Sequence, residues 1–98
     1  MSRRGDELPV QYCRATRVVW RLGHGSVLVL PVSGDHVHAL TGAAEGLWQL
    51  LVEPLTVQQA ASRLAEFYDV SSGEVLREIA PLLDELVGRG VLERKGSA

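Results

Sequence analysis

The stretch that decides the fold is SVLVLPVSGDHVHALTGAAEGLWQLL, residues 26–51. Its beginning is rich in Val and Leu, and Ser33-Gly34-Asp35 tolerates the backbone angles of a chain reversal. The pattern therefore predicts one strand over residues 26–32 and another over residues 36–40. After Leu40 the apolar residues recur at helical spacing. This change predicts a helix that begins at Thr41, whose hydroxyl is placed to cap the first N–H groups.

The segment before this stretch adds a further strand. From residue 17 onward, Val18, Trp20 and Leu22 alternate with two arginines and a valine, a period of two that is typical of a half-buried strand. Gly23-His24-Gly25 supplies the turn into the next strand. We therefore expect residues 17–40 to form a three-stranded antiparallel meander.

Two capping boxes predict where the later helices begin. Thr56-Val57-Gln58-Gln59 starts the second helix, and Ser71-Ser72-Gly73-Glu74 starts the third, which runs toward the glycines at 88 and 90. Pro81 lies inside the third helix and predicts a kink over residues 77–81. Three strands followed by three helices indicate an α+β domain with a winged helix-turn-helix-like order.

Length and composition predict one small folded domain. The chain has 98 residues, of which 46% are hydrophobic and 22% charged, and this balance is typical of a packed core. We expect residues 1–16 to be a flexible N-terminal segment, because no apolar period is sustained there. Residues 17–93 would form the domain, and residues 94–98 a flexible tail.

Charge and hydropathy exclude several classes of partner. A formal net charge of -2 provides no overall positive field for nucleic acid or anionic lipid. The longest apolar run, residues 27–32, is far shorter than the roughly 20 residues of a spanning helix. Cys13 is the only cysteine and cannot form an internal disulfide. We therefore expect no membrane partner, no export signal and a cytoplasmic location.

Residues with catalytic or metal-binding chemistry are sparse. His36 and His38 lie on one side of the predicted third strand, but no third ligand accompanies them at suitable spacing, so no metal site is predicted. Cys13 lies in the least patterned segment, and the glycines lack phosphate-binding spacing. We expect neither an enzyme nor a bound cofactor.

The third predicted strand is an edge open to pairing. The first strand carries Arg17 and Arg21, which discourage pairing with other chains, whereas residues 36–40 contain no Lys, Arg, Pro or Gly. That edge is suited to accept another chain as an added strand. Two alternatives remain open: the N-terminal segment covers the edge, or two copies of the strand pair in a dimer.

The third predicted helix has a broad apolar face, and we expect it to lie beside this edge. Its core stripe is expected to consist of Leu76, Ile79, Leu83 and Leu86. Val75, Leu82 and Arg89 lie about 90° to the side, with Glu78 close by. This flank either widens the core stripe or lines a groove. In a DNA-binding regulator, the alternative function, the same helix would enter the major groove, but it carries four acidic residues against two arginines.

The sequence resembles the PqqD family, the small winged-helix domains known as recognition elements of ribosomally synthesised and post-translationally modified peptides (RiPPs). The resemblance covers about residues 17–93. Its matching positions are the apolar pair before Pro31, Leu40-Thr41, Leu50-Leu51 ahead of Leu55-Thr56-Val57, the stretch from Leu64 to Tyr68, and Leu82-Leu83 with Leu86 and Gly90-Val91. The family often has Asn where this chain has Thr41, a change that keeps a capping side chain.

The resemblance implies a non-catalytic module that binds the leader segment of a precursor peptide. The leader would add a strand to the third strand, pack against the third helix and be delivered to a modifying enzyme, such as a leader peptidase, a cyclase or a radical-SAM enzyme. The peptide-binding residues implied by position are His36, Val37, His38, Ala39, Val75, Glu78, Ile79, Leu82 and Arg89. Val37, His38 and Ala39 would offer backbone pairing, while Val75, Ile79 and Leu82 would line apolar pockets and Glu78 and Arg89 would supply charge at the rim.

Overall fold

A computed structural model describes residues 9–96 of the chain. Within this range lie two three-stranded antiparallel sheets and three helices, so the α+β class is confirmed. In chain order the elements are β1 (Gln11–Arg14), β2 (Val18–Leu22), β3 (Val27–Pro31), β4 (His38–Leu40), α1 (Ala43–Leu50), β5 (Leu55–Thr56), α2 (Val57–Tyr68), α3 (Ser72–Gly88) and β6 (Leu92–Lys95).

The first sheet is the predicted meander. Its strand order is β2-β3-β4, and the buried residues Val27 and Val29 lie on the central strand β3. The third predicted strand is shorter than expected, because β4 begins at His38 and leaves residues 36 and 37 outside it. The register gives the reason. Val29 lies opposite His38. Residue 36 would therefore lie opposite Pro31, which has no N–H group to extend the hydrogen-bond ladder.

The second sheet was not predicted. Its strand order is β5-β1-β6, and Gln11 lies opposite both Thr56 and Lys95. Residues 11–14 and the start of the tail, which were expected to be flexible, are in β1 and β6. These strands are short and lack a sustained alternation, so their pairing depends on contacts between distant parts of the chain. The outermost residues, 1–8 and 97–98, lie outside the described residues.

The first helix begins later than the sequence predicts. Its N-cap is Gly42, which has a φ of 59°, and no side chain caps the helix. Thr41 was wrongly predicted to cap it. Glycine adopts a positive φ without steric cost, so the chain enters α1 through Gly42 and leaves Thr41 one residue too early for its hydroxyl to act as the N-cap.

The other two helices begin where the capping residues predict. The Thr56 hydroxyl accepts a hydrogen bond from the Gln59 backbone N–H at 3.1 Å, and the Gln59 side chain accepts one from the Thr56 N–H at 2.9 Å. The Ser71 hydroxyl accepts from the Glu74 N–H at 3.2 Å. Helix α3 continues through Pro81, and the kink predicted there stays a prediction.

The core lies between the meander and the three helices. Trp48, Leu47 and Leu51 on or beside α1 are fully buried against both. From α3, the buried residues are Val75, Ile79, Leu83 and Leu86. Leu76 is only partly buried, so the predicted stripe is wrong at that position. Spacings of four, four and three residues place Val75, and not Leu76, in line with the other three.

Arg14 connects the two sheets through α1. Its Nε donates a hydrogen bond to the Trp48 carbonyl oxygen at 2.8 Å. The guanidinium carbon lies 4.5 Å from the centroid of the Trp48 ring and 5.0 Å from that of Trp20 on β2. The two indole rings are themselves in edge contact, with centroids 5.5 Å apart. One side chain thus joins β1, α1 and β2. Within residues 9–96, no helix is long and apolar enough to cross a membrane.

Candidate functional site

An open pocket of about 760 Å³ lies between α2 and α3. It is close to β4 along the chain, since its lining starts two residues after β4 ends. The lining residues are Gly42 and Ala43 before and in α1, Leu64 and Tyr68 on α2, Val70 in the α2–α3 loop, and Glu74, Val75, Arg77, Glu78 and Ile79 on α3.

The pocket has a buried apolar floor and a more exposed apolar rim. Leu64, Val75 and Ile79 are buried and also belong to the core. At the rim, Tyr68 is 49% exposed and Val70 is 47% exposed. Apolar side chains so accessible to water, next to a concave surface, are typical of a binding site for another apolar group.

Gly46 on α1 sets how closely α1 approaches two of the lining residues. A Cβ atom at this position would lie 3.2 Å from Leu64 Cδ2 and 3.5 Å from the Tyr68 hydroxyl oxygen. The first distance is tighter than an ordinary van der Waals contact between carbon atoms. A side chain at position 46 would therefore displace Leu64 on the floor and contact Tyr68 at the rim.

Charged side chains also line the pocket. Glu74, Arg77 and Glu78 are exposed and lie on the first turns of α3. None of the three takes part in an ion pair within residues 9–96. Arg89, which was expected to supply charge at the rim, instead pairs with Glu85 on the same helix and does not line the pocket.

Strand β4 is close to the pocket lining in sequence, and its outer edge is unpaired in the described part of the chain. Among residues 9–96, no strand pairs with the side of β4 that faces away from β3. The described part of the N-terminal segment forms β1, which pairs with β5 and β6 in the other sheet, and so it does not cover this edge. Alternate residues of a strand direct their backbone groups to opposite sides, so part of the backbone of His38–Leu40 is available for pairing.

The structure brings only some of the predicted site residues together. Val75, Glu78 and Ile79 line the pocket, and His38 and Ala39 are in β4. His36 and Val37 are exposed and precede β4, and His36 Nδ1 lies 3.4 Å from Asp35 Oδ1. Leu82 is partly buried against the core, outside the pocket lining. In the described part of the chain, no group of three or more potential metal ligands is assembled.

Sequence reasoning missed several lining residues. Tyr68 was assigned to the apolar stripe of the second helix, and Val70 was not singled out. The signal that could have found them is their position on either side of Asp69, where the backbone has a φ of 59° and leaves α2. Tyr68 is one helical turn after Leu64 on α2, and Val70 follows the end of that helix, so both lie beside the pocket.

A comparison with known protein families identifies the domain. The family described as "Coenzyme PQQ synthesis protein D (PqqD)" matches residues 26–92, about two thirds of the chain. The chain belongs to the PqqD family. This confirms the resemblance seen in the sequence, and PqqD proteins are of the RiPP recognition element type. Searches of curated proteins and of solved structures found no match.

The PqqD match covers the elements that form the site. It includes β3, β4 and all three helices, and therefore every residue that lines the pocket. Strands β1 and β2 precede the matched range. The pocket and the β4 edge are thus placed in the part of the chain that defines the family.

Proposed function

We propose that this protein is a non-catalytic binder of the leader segment of a ribosomally made precursor peptide. The leader adds a strand to the outer edge of β4 and places apolar side chains in the pocket between α2 and α3. The observation that carries the proposal is that the two features adjoin along the chain: β4 ends at Leu40, and the pocket lining begins at Gly42.

The spacing supports a single peptide that uses both surfaces. Strand residues advance about 3.3 Å each, which makes about 7 Å the upper limit for the span of the chain from Leu40 to Gly42. A strand paired with β4 lies about 4.8 Å from it, and its alternate side chains point to the same face. We propose that a paired segment of ordinary length extends from the edge of β4 to the pocket.

Because β4 is short, we expect most of the binding free energy to come from the pocket. Three residues offer about two to four backbone hydrogen bonds, each contributing about 1 kcal/mol. Each apolar side chain that becomes buried contributes about 2 kcal/mol. Two such anchors match or exceed the backbone contribution, so we expect the pocket residues to control affinity and the β4 edge to fix the orientation of the peptide.

The family supports the partners that we propose. PqqD family proteins bind a precursor peptide and act with a radical-SAM enzyme. By analogy, this protein delivers its leader to a modifying enzyme, for which a radical-SAM enzyme, a leader peptidase and a cyclase are the candidates. The cytoplasm is the compartment that we propose, because a reducing environment keeps the free thiol of Cys13 intact.

We further propose that the three helices adopt a winged helix-turn-helix arrangement that binds peptide and not DNA. The charge of α3 supports this choice. Its acidic residues are Glu74, Glu78, Asp84 and Glu85, against Arg77 and, at its end, Arg89. Such a helix repels the phosphates of a major groove. A duplex retarded by the protein at low salt, with affinity falling steeply as salt rises, would support the DNA-binding alternative instead.

The experiment that tests peptide binding is a titration of isotope-labelled protein with a synthetic leader peptide, chosen from short reading frames that neighbour its gene. Amide signals of His38–Leu40 and of residues 70–79 are expected to shift. Val70→Asp places a carboxylate at the apolar rim and is expected to weaken binding at least tenfold. Val52→Asp is the matched control, since Val52 is 68% exposed and does not line the pocket.

Position 70 is chosen over position 82, because Leu82 packs partly against the core and a charge there is expected to perturb folding as well as binding. A leader that binds without moving signals of β4 or α3 would refute the site. The same conclusion follows if the Val70 and Val52 variants bind equally well.

A further inference from the structure

Charged residues are unevenly distributed along the sequence of this protein. Residues 9–22 contain three arginines and no acidic residue. Residues 64–79, which contribute most of the pocket lining, contain four acidic residues and a single base, Arg77. The pocket therefore lies in a locally negative region, although the whole chain has a formal net charge of only -2.

The two carboxylates that line the pocket, Glu74 and Glu78, differ from the acidic residues in the second half of α3. Asp84 accepts a hydrogen bond from Arg94 at 2.7 Å, and Glu85 pairs with Arg89. Both are thus neutralised by an arginine. Glu74 and Glu78 have no such partner within residues 9–96.

Glu74 and Glu78 are one helical turn apart, so their side chains are neighbours on the surface of α3. Both contact the pocket, whose floor beneath them is formed by Leu64, Val75 and Ile79. Arg77 lines the pocket as well and offsets one of the two negative charges. An apolar cleft with a net negative rim is complementary to an apolar group that carries a cation beside it.

We propose that the pocket selects a peptide segment in which an aliphatic or aromatic residue stands next to Lys or Arg. The apolar side chain occupies the floor, and the basic side chain pairs with Glu74 and Glu78. This inference rests on the proposed peptide-binding function and specifies the chemistry of the peptide. The long stem of Lys or Arg packs along the apolar rim while its charged end stays in water beside the carboxylates.

A randomised 12-residue peptide library displayed on phage tests this selectivity with the full-length protein. Peptides enriched on the wild-type protein are expected to carry an apolar residue with Lys or Arg within about three positions. On the Glu74→Gln/Glu78→Gln variant, the apolar preference is expected to persist and the basic preference to disappear. Glu53→Gln/Glu66→Gln is the charge-matched control, because neither residue lines the pocket.

The affinity of one enriched peptide, synthesised and measured in solution, gives the size of the effect. Two exposed ion pairs correspond to an affinity loss of about 2- to 30-fold in the Glu74→Gln/Glu78→Gln variant. Raising the salt concentration is expected to weaken binding to the wild type and to have little effect on that variant.

The outcomes separate this inference from the function on which it rests. Enriched peptides that are apolar but not basic, or an unchanged basic preference on the Glu74→Gln/Glu78→Gln variant, would overturn the charge selectivity and leave peptide binding intact. If no peptide is enriched on the wild-type protein, the proposed peptide-binding function itself is contradicted.

Discussion

The contact of Arg14 with two tryptophans predicts a large stability loss for Arg14→Ala. The substitution removes the 2.8 Å hydrogen bond from Nε to the Trp48 carbonyl, for which a charged donor contributes about 1.5–3 kcal/mol. It also removes the cation–π contacts of the guanidinium, which lies 4.5 Å and 5.0 Å from two indole centroids, at about 0.5–1 kcal/mol each.

Because Arg14 is only partly buried and these contributions do not add fully, we expect Arg14→Ala to lower the free energy of unfolding by about 2–4 kcal/mol. The measurement is urea unfolding followed by far-ultraviolet circular dichroism, which does not depend on the fluorescence of the affected indoles. The midpoint should fall while the m-value stays unchanged.

Two further variants make the test specific. Arg17→Ala removes an exposed arginine and is expected to change stability by less than about 0.5 kcal/mol. Arg14→Lys keeps the positive charge but loses the planar guanidinium that contacts both rings, so it is expected to recover only part of the loss. If Arg14→Ala is no more destabilising than Arg17→Ala, Arg14 does not connect the two sheets as described.

Three other predictions follow from single residues. Thr56→Ala removes the N-cap of α2 and is expected to cost about 1 kcal/mol in urea unfolding; an unchanged midpoint would contradict the observed cap. Gly46→Val is expected to cost about 1–3 kcal/mol and weaken leader binding because it displaces Leu64, whereas Gly73→Val, which has open space around it, should leave leader binding unchanged. Burial raises the pKa of the Cys13 thiol from its ordinary value of 9.0. Iodoacetamide should therefore modify the native protein more slowly than the unfolded chain at pH 8, and equal rates would refute this assignment. The free energy of unfolding should also decline as the pH rises above about 9, because the unfolded chain then loses the thiol proton before the native protein does.

Local sequence signals were sufficient to predict most of the first sheet and the starts of two helices. The side chains of Thr56 and Ser71 cap N–H groups only three residues away, so the sequence alone is enough to predict both caps. The alternation over β2 and the Val- and Leu-rich run of β3 are equally local. By contrast, the pairing of Gln11 with Thr56 and Lys95 depends on residues far apart in the chain, and no local pattern indicates it.

Part of the candidate site was also predictable from periodicity. Helical spacing placed Val75 on the flank of α3 with Glu78 close by, and both line the pocket. Ile79 was assigned to the core stripe by spacing and to the site by the family resemblance, and it lines the pocket as well. Periodicity did not indicate that the cleft lies toward the first turns of α3, because that depends on how α2 and its following loop pack against the helix. Tyr68 and Val70 were missed for this reason.

The most direct test of peptide binding is a nuclear Overhauser measurement on the complex of labelled protein with unlabelled leader peptide. Strand addition to β4 predicts cross-strand contacts between backbone protons of the leader and those of His38–Leu40. It also predicts contacts between leader side chains and the methyl groups of Val75 and Ile79 in the pocket. Backbone contacts to Val18–Leu22 of β2 instead, with none at β4, would contradict the account.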